Sequence, residues 1–197
     1  MHPLETLSLA LGAGFSSGLN LYATVATLGL LERFGVIHLP VGLQALARPW
    51  VIALALVLYL IEFFADKIPY VDTIWDSVHT FIRPPAAALL AYAAVGGAGA
   101  EWRWGAALLA GGVALTSHGA KASARAAVNT SPEPFSNWTL SLGEDVLVVW
   151  LSWMATAHPV ATTIFVFLLL ALCVYLIYQL FCFARRAVRQ MRNPYFR

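Results

Sequence analysis

Residues 72–83 read DTIWDSVHTFIR, which places Asp72, Asp76, His79 and Arg83 at spacings of four, three and four residues. At about 100° per residue, these side chains share one narrow stripe of an α-helix. The chain around them is strongly apolar, with 60% hydrophobic and 11% charged residues among 197. An ionised group at the middle of a bilayer costs about 3 kcal/mol on insertion scales. We therefore expect the stripe to face other protein, a watery cavity or the membrane surface.

The composition indicates an all-α integral membrane protein with a single domain over residues 1–197. Mean hydropathy is +0.73, and the apolar residues form several runs near the length that crosses a bilayer. The sequence has no phosphate-binding loop, no dinucleotide fingerprint and no nucleic-acid module. We therefore expect the lipid bilayer as a partner, and we expect neither nucleic acid nor a cofactor.

About six transmembrane segments can be marked along the chain, at residues 4–31, 50–65, 72–95, 105–128, 138–156 and 159–183. The glycines around Gly14–Gly18 predict a break or kink in the first segment, or two half-helices. Pro84 and Pro85 predict a second break, because proline removes a backbone donor and clashes with the preceding turn. The whole is a polytopic helix bundle.

Residues 13–26 align without gaps onto residues 114–127, which suggests repeat halves 1–100 and 101–184. Three segments in each half would make this an inverted repeat, the plan of many transporters. Residues 185–197 form a basic tail with Arg185, Arg186, Arg189, Arg192 and Arg197. The positive-inside rule places this C-terminus in the cytoplasm, and six crossings would place the N-terminus there too.

The polar side chains within the apolar runs divide into two expected roles. The expected substrate-binding residues are Asn20, Arg83, His118, Lys121 and Arg125. The expected proton-coupling or charge-balancing residues are Glu62, Asp66, Asp72, Asp76, His79, Glu144 and Asp145. Cations attract an anionic group, and carboxylates or histidines in apolar surroundings can load and release protons. The structural alternative is that these charges only pair with one another and hold helix to helix.

Six short stretches carry a family resemblance: GLNLY (18–22), YLIEFFADKIP (59–69), DTIWDSVH (72–79), FIRP (81–84), HGAK (118–121) and NTSP (129–132). On these motifs, which are spread over nearly the whole chain, the sequence resembles the bacterial membrane proteins catalogued as domain of unknown function 4126. The resemblance implies a multi-pass protein of the bacterial inner membrane and supplies no activity.

The leading hypothesis from the residues is a small transporter or channel. It would move a small, anionic solute through a polar cavity inside the membrane, with proton coupling, and several protomers would associate. The first alternative is the translocation or scrambling of a lipid headgroup. A further alternative is a membrane-embedded metal site or enzyme, although no HExxH motif or cysteine pair favours a metal or catalytic residue. The fourth hypothesis is a passive assembly partner with paired charges and a dry interior.

Overall fold

The computed structural model describes residues 3–68, 70–130 and 134–191. The described residues form helices and no strand, so the all-α prediction is confirmed. In chain order the elements are α1 (Pro3–Arg33), a 3₁₀ helix (Val41–Ala47), α2 (Pro49–Ala65), α3 (Val71–His79), α4 (Arg83–Ala94), α5 (Ala100–Val128), α6 (Pro134–Ala157) and α7 (Pro159–Met191).

Helix α1 is broken at Asn20, two residues after the glycine-rich stretch that predicted a break. Asn20 has φ −151° and ψ 100°, which is extended backbone between a first half (3–19) and a second half (21–33). Its side-chain oxygen accepts a hydrogen bond from the Ala23 amide at 2.9 Å. This is the geometry of a helix N-cap. The second half therefore begins as a new helix.

The two halves of α1 fold back against each other, as their contacts along α6 show. The break lies beside Asp145, near the middle of α6. The first half leads from there to Ser8, whose hydroxyl donates to the Ala155 carbonyl at 2.9 Å. The second half leads to Leu31, which lines the same cavity as Trp153. Both halves thus run from the break towards the same end of α6, and α1 is a helical hairpin.

The hairpin lies at the centre of the fold, in contact with α2, α4, α5, α6 and α7. Gly12 in its first half packs against Thr162 at the start of α7, whereas Gly119 in α5 packs against Ile177 further along. Helix α7 therefore leads away from the end where α1 begins. The described residues do not confirm the expected placement of both chain ends on one side, because the first segment doubles back. Arg185, Arg186 and Arg189 are exposed at the far end of α7, and Arg192 and Arg197 lie outside the described residues.

The second predicted break falls at residues 80–82, directly before the two prolines. Helix α3 ends at His79 and α4 begins at Arg83, so Pro84 and Pro85 occupy the first turn of α4. Proline is tolerated there because the first amides of a helix have no intrahelical partner. Past the break, α4 runs along α5 in the direction that α3 has already taken. Helices α3 and α4 therefore act as one interrupted segment.

The inverted repeat is not confirmed. Gly14 packs against Ala110, and Gly18 packs against Ala114 four residues further on in both helices. The two aligned segments thus run in the same direction where they touch, whereas an inverted repeat relates matching segments in opposite directions. The matching alanines, glycines and serines reflect the need for small residues at helix crossings.

Two described helices are long and apolar enough to cross a membrane, namely Phe135–Ala157 and Pro159–Arg186. A third is counted if the 3₁₀ helix and α2, bent by 68°, form one span. Helix α7 exposes Phe167, Leu168 and Leu172, each at least half exposed, which suits contact with lipid. The chain is thus a helical membrane protein, and the expected number of six segments is not confirmed.

The crossing of α1 and α5 depends on the absence of a side chain at Gly18. An added Cβ there would collide with the Ala114 backbone and the Ser117 hydroxyl. We expect Gly18→Ala to lower the stability by about 1–3 kcal/mol, as overpacking does. Gly112→Ala is the matched control, because nothing lies within 4 Å of an added Cβ on the same helix pair. Thermal unfolding of both variants in detergent, followed by tryptophan fluorescence, checks this. Equal melting temperatures for the two variants would contradict the crossing.

Candidate functional site

Among the described residues, seven charged side chains are joined by ion pairs into one buried group, here named the central ion cluster. Its members are Glu62, Asp66, Asp76, Arg83, Lys121, Arg125 and Glu144. The end of α2 supplies two carboxylates, and α3 and α6 supply one each. Helix α4 supplies one arginine and α5 supplies the other two cations. Apart from Glu144, whose side chain is 13% exposed, none of these side chains is more than 3% exposed.

Lys121 binds the two carboxylates of α2 together. Its Nζ lies 3.3 Å from Glu62 Oε1 and 2.9 Å from Asp66 Oδ2. Glu62 and Asp66 are one helical turn apart, so their charges would repel each other without a shared cation. Lys121 also lies 3.4 Å from Glu144 Oε2, which brings α6 into the same cluster.

Arg83 joins α4 to α2 and α5. Its Nη2 donates to Glu62 Oε1 at 2.8 Å. Its Nη1 is directed at the Gly18 carbonyl, at 3.1 Å, and at His118 Nδ1, at 2.7 Å. The position of Arg83 at the first turn of α4 follows from the chain break at 80–82, which lets the long side chain reach three elements.

Arg125 closes the cluster at its other end. Its Nη1 donates to the Asp66 carbonyl at 2.6 Å, and its Nη2 lies 3.0 Å from Asp66 Oδ2 and 2.8 Å from Glu144 Oε2. Lys121 and Arg125 are four residues apart on α5, with His118 three residues before Lys121. One face of α5 therefore supplies two cations and a histidine to one site.

The His118 ring is neutral, and its tautomer follows from its partners. Arginine has only donors, so the Nδ1 atom that faces Arg83 must accept. The ring proton therefore sits on Nε2, which lies 3.1 Å from the Asp76 carbonyl oxygen and 2.9 Å from Thr80 Oγ1. A protonated His118 would turn a donor towards the Arg83 guanidinium, which opposes its charging.

The break in α1 lies directly against this cluster. Because the first half ends at residue 19, its last carbonyls have no intrahelical donors. Side chains of α4 and α5 supply those donors. Arg83 donates to Gly18 (3.1 Å) and Lys121 donates to Leu19 (2.9 Å). Ser117 donates to the carbonyl of Phe15, one turn earlier (2.9 Å). Cations also suit this position electrostatically, since the C-terminal end of a helix carries partial negative charge.

The structure brings together most of the residues expected to form a site. Arg83, His118, Lys121 and Arg125 converge. Of the seven expected proton-coupling residues, those that join them are Glu62, Asp66, Asp76 and Glu144. Asn20 lies at the edge of the cluster and donates from Nδ2 to Asp145 Oδ1 at 3.2 Å.

Three expected residues lie outside the cluster and are bonded to neutral groups. Asp72, the first residue of the stripe, accepts hydrogen bonds from the side-chain amide of Asn129 at 2.8 and 2.9 Å. His79 lies 3.0 Å from the Tyr22 hydroxyl and 2.7 Å from the Trp75 carbonyl oxygen. Asp145 lies between Asn20 and the Tyr59 hydroxyl, which is 3.1 Å away. The stripe is real along α3, but its members face different partners, because Asp76 joins the cluster whereas Asp72 and His79 contact Asn129 and Tyr22.

Sequence reasoning missed the roles of Ser117 and Lys67. Ser117 precedes Lys121 by four residues, and that spacing could have identified it as part of the same face. Lys67 directly follows Asp66 of the cluster, but its Nζ lies 2.9 Å from the centre of the Phe63 ring and 3.3 Å from Ser141 Oγ. Burial lowers the pKa of the Lys67 ammonium, and the charges of Asp145 and Asp66 oppose that shift.

Several polar atoms of the cluster have no hydrogen-bond partner within the described residues. They are Glu62 Oε2, Asp66 Oδ1, both carboxylate oxygens of Asp76, Arg83 Nε and Arg125 Nε. Buried polar atoms are rarely left unpaired, and a water or a ligand usually satisfies them. The cluster therefore has capacity for water or for a small polar ligand beyond its own ion pairs.

Two cavities lie at the surface, and neither is lined by the three cations of the cluster. The first, of about 810 Å³, lies between the second half of α1, α2 and α6, and it reaches Tyr59 and Asp145. The second, of about 1160 Å³, lies among apolar residues where α1 begins and α4 ends. Around Arg83 and Lys121 the described side chains pair with one another, so the hypothesis of a polar cavity lined by these cations is not confirmed.

No group of three or more histidine, cysteine or acidic side chains could hold a metal ion within residues 3–68, 70–130 and 134–191. In particular, the side chains of Asp72, Asp76 and His79 contact separate partners, namely Asn129, Arg83 and Tyr22. The metal-site alternative therefore gains no support from the described residues.

Removal of Lys121 should destabilise the fold strongly. We expect Lys121→Met to cost about 3–5 kcal/mol, because it leaves buried carboxylates without their cation. Lys67→Met is the matched control, since Lys67 is also buried but pairs with no carboxylate in the described chain. We expect that control to cost about 1 kcal/mol, for one hydrogen bond and a cation–π contact. The melting temperatures of both variants in detergent decide the matter, and a smaller loss for Lys121→Met would refute the cluster.

The comparisons with known proteins agree with the sequence resemblance. No curated protein and no solved structure matches this chain. The family model described as "Domain of unknown function (DUF4126)" matches residues 7–179, a range that holds the whole central ion cluster and α1 from Leu7 onward. The chain therefore belongs to the DUF4126 family.

Proposed function

We propose that this chain is a small membrane transporter that moves a small anionic solute together with protons, with the central ion cluster as its binding site. The observation that carries this proposal is the position of three buried cations at the break in α1, where Arg83 and Lys121 bind free backbone carbonyls. Broken helices whose ends meet a substrate or ion are a recurring feature of transporter sites. A structural brace alone would not need the helix to be broken there.

In this conformation, carboxylates occupy the positions that a solute anion would take. Glu62, Asp66 and Glu144 accept charge-assisted hydrogen bonds at 2.8–3.3 Å from the three cations. A carboxylate or phosphate solute could make the same bonds. When a carboxylate of the cluster is protonated, its hold on the cation weakens, and the cation becomes available to the solute. Proton binding and anion binding would thereby favour each other.

The same proposal places the helices in the bacterial inner membrane. We infer five crossings, made by α2, the α3–α4 pair, α5, α6 and α7, with α1 as a re-entrant hairpin. Non-helical backbone at membrane depth is tolerated only where protein or a cavity surrounds it, and the break at Asn20 is 2% exposed. The exposed arginines Arg185, Arg186 and Arg189 favour a cytoplasmic end for α7.

Reconstituted protein should show proton movement that depends on an added anion. Liposomes that contain the protein and an internal pH dye are given inorganic phosphate, a monocarboxylate or a dicarboxylate in turn. We expect one of these to acidify the interior, and Arg83→Lys to slow that signal roughly tenfold or more, since the arginine makes charge-assisted bonds that lysine cannot reproduce. Arg48→Ala is the control, because Arg48 is exposed and far from the cluster. A signal absent for every anion, or unchanged in a folded Arg83→Lys protein, would refute transport.

Lipid-headgroup translocation is the second candidate, and the cavity between α1, α2 and α6 favours it. That cavity is lined mainly by apolar residues such as Leu31, Val149 and Trp150, and Asp145 lies on its wall. A groove of this kind could hold an acyl chain while a headgroup approaches the polar interior. A fluorescent-lipid scrambling assay on the same liposomes separates the two functions. Scrambling without anion-dependent proton movement would replace transport by lipid translocation.

A further inference from the structure

Asp76 is the carboxylate of the central ion cluster with the fewest partners. The residue is 2% exposed, and within the described part of the chain neither of its carboxylate oxygens accepts a hydrogen bond. Its one ion contact there is with Arg83 Nη1, 3.4 Å from Oδ1, without hydrogen-bond geometry. A buried ionised carboxylate without hydrogen bonds is costly, and protonation is the usual relief.

Arg83 cannot donate a hydrogen bond to Asp76, because both hydrogens of Nη1, the nitrogen nearest to Asp76, are directed at other acceptors. A guanidinium Nη carries two hydrogens. Those of Nη1 are directed at His118 Nδ1 and at the Gly18 carbonyl, and Nη2 donates to Glu62. A negative charge on Asp76 would therefore compete with the Gly18 carbonyl for one hydrogen.

The charge balance of the cluster also favours a proton on Asp76. Within the described residues the cluster holds four carboxylates and three cations, so full ionisation leaves one excess negative charge. His118 is neutral, as its contact with Arg83 requires. The other charges that act on Asp76 are those of Asp66 at the end of α2 and of Lys121 and Arg125 on α5. Glu62 and Glu144 share these cations, and His79 lies one turn further along α3. One bound proton makes the group neutral.

We propose that Asp76 binds the proton that neutralises the central ion cluster, and that its release draws Arg83 from the Gly18 carbonyl at the break of α1. This deepens the proposed function by naming the proton site and the element that responds. The step is a simple ionisation, in which the Asp76 carboxyl O–H bond breaks and water takes the proton. Gly18 then loses its donor, and since no helical amide can replace that donor, the turn of the hairpin loosens.

The proton itself can be observed by infrared spectroscopy of the protein in lipid nanodiscs. At low pH, we expect the C=O stretching band of a buried protonated carboxyl group, which disappears as pH rises. Asp76→Asn should remove this band at every pH. Asp72→Asn is the matched control, because Asp72 is a buried aspartate of the same helix whose oxygens are already bonded to Asn129. That variant should keep the band.

The response of the hairpin can be followed by hydrogen exchange of residues 16–24. Asp76→Asn imitates the protonated residue. At pH values above the titration of Asp76, the amides of residues 16–24 should therefore exchange several-fold more slowly in this variant than in the wild type at the same pH. Below the titration the two proteins should exchange alike. If Asp76→Asn does not fold, Asp76→Glu serves instead, and its acid band should persist at a shifted frequency.

The proposal is overturned if the acid band survives in Asp76→Asn, if the wild type shows no such band, or if exchange of residues 16–24 is the same in both proteins at every pH. Neither readout needs a solute. A positive result together with a failed flux assay would therefore remove the proposed transport and leave the proton site. A negative result with anion-dependent flux would remove the proton site at Asp76 alone.

Discussion

The fold depends on how a helix can be broken inside an apolar protein. When α1 ends its first half at residue 19, its last carbonyl oxygens have no amide donor in the same half. An unsatisfied buried carbonyl costs about 1–3 kcal/mol. Arg83 and Lys121 satisfy two such carbonyls from neighbouring helices. Asn20 then starts the second half with its own cap. The hairpin and the polar faces of α4 and α5 therefore require each other.

The cations that cap the broken helix need counter-charges, and this accounts for the carboxylates of α2, α3 and α6. Isolated buried charges cost several kcal/mol each, whereas pairs with short contacts recover most of that cost. The cluster links the interrupted α3–α4 segment to the turn of the hairpin through Arg83. It also holds α2 to α5 and α6 through Lys121 and Arg125. A proton or a solute anion that changes the balance of this group would act on several helices together, which is how a binding event can move a transporter.

Much of this could be predicted from residues alone. The stripe of residues 72–83, the polar face with His118, Lys121 and Arg125, and the positions of the helices follow from periodicity and apolar length. The hairpin does not follow, because a glycine-rich stretch allows a break without giving its angle. The pairing of each cation of the cluster with a carboxylate depends on how α2, α3, α4, α5 and α6 pack, which spacing within one helix cannot reveal. Asp72 and His79 share the stripe with Asp76 but contact Asn129 and Tyr22 instead of the cluster, and spacing along α3 cannot reveal that either. The repeat match between 13–26 and 114–127 only reflects small residues at a crossing.

The most direct test of this account is the distance between the two ends of α1. Leu7 and Arg33 are both exposed, so spin labels can be attached there as cysteines after Cys173 and Cys182 are replaced. A continuous helix would separate the labelled backbones by about 39 Å, at 1.5 Å per residue. The hairpin predicts a much shorter distance in nanodiscs, measured by pulsed electron paramagnetic resonance. A distance near that of the straight helix would contradict the broken helix, and with it the site that we place at its turn.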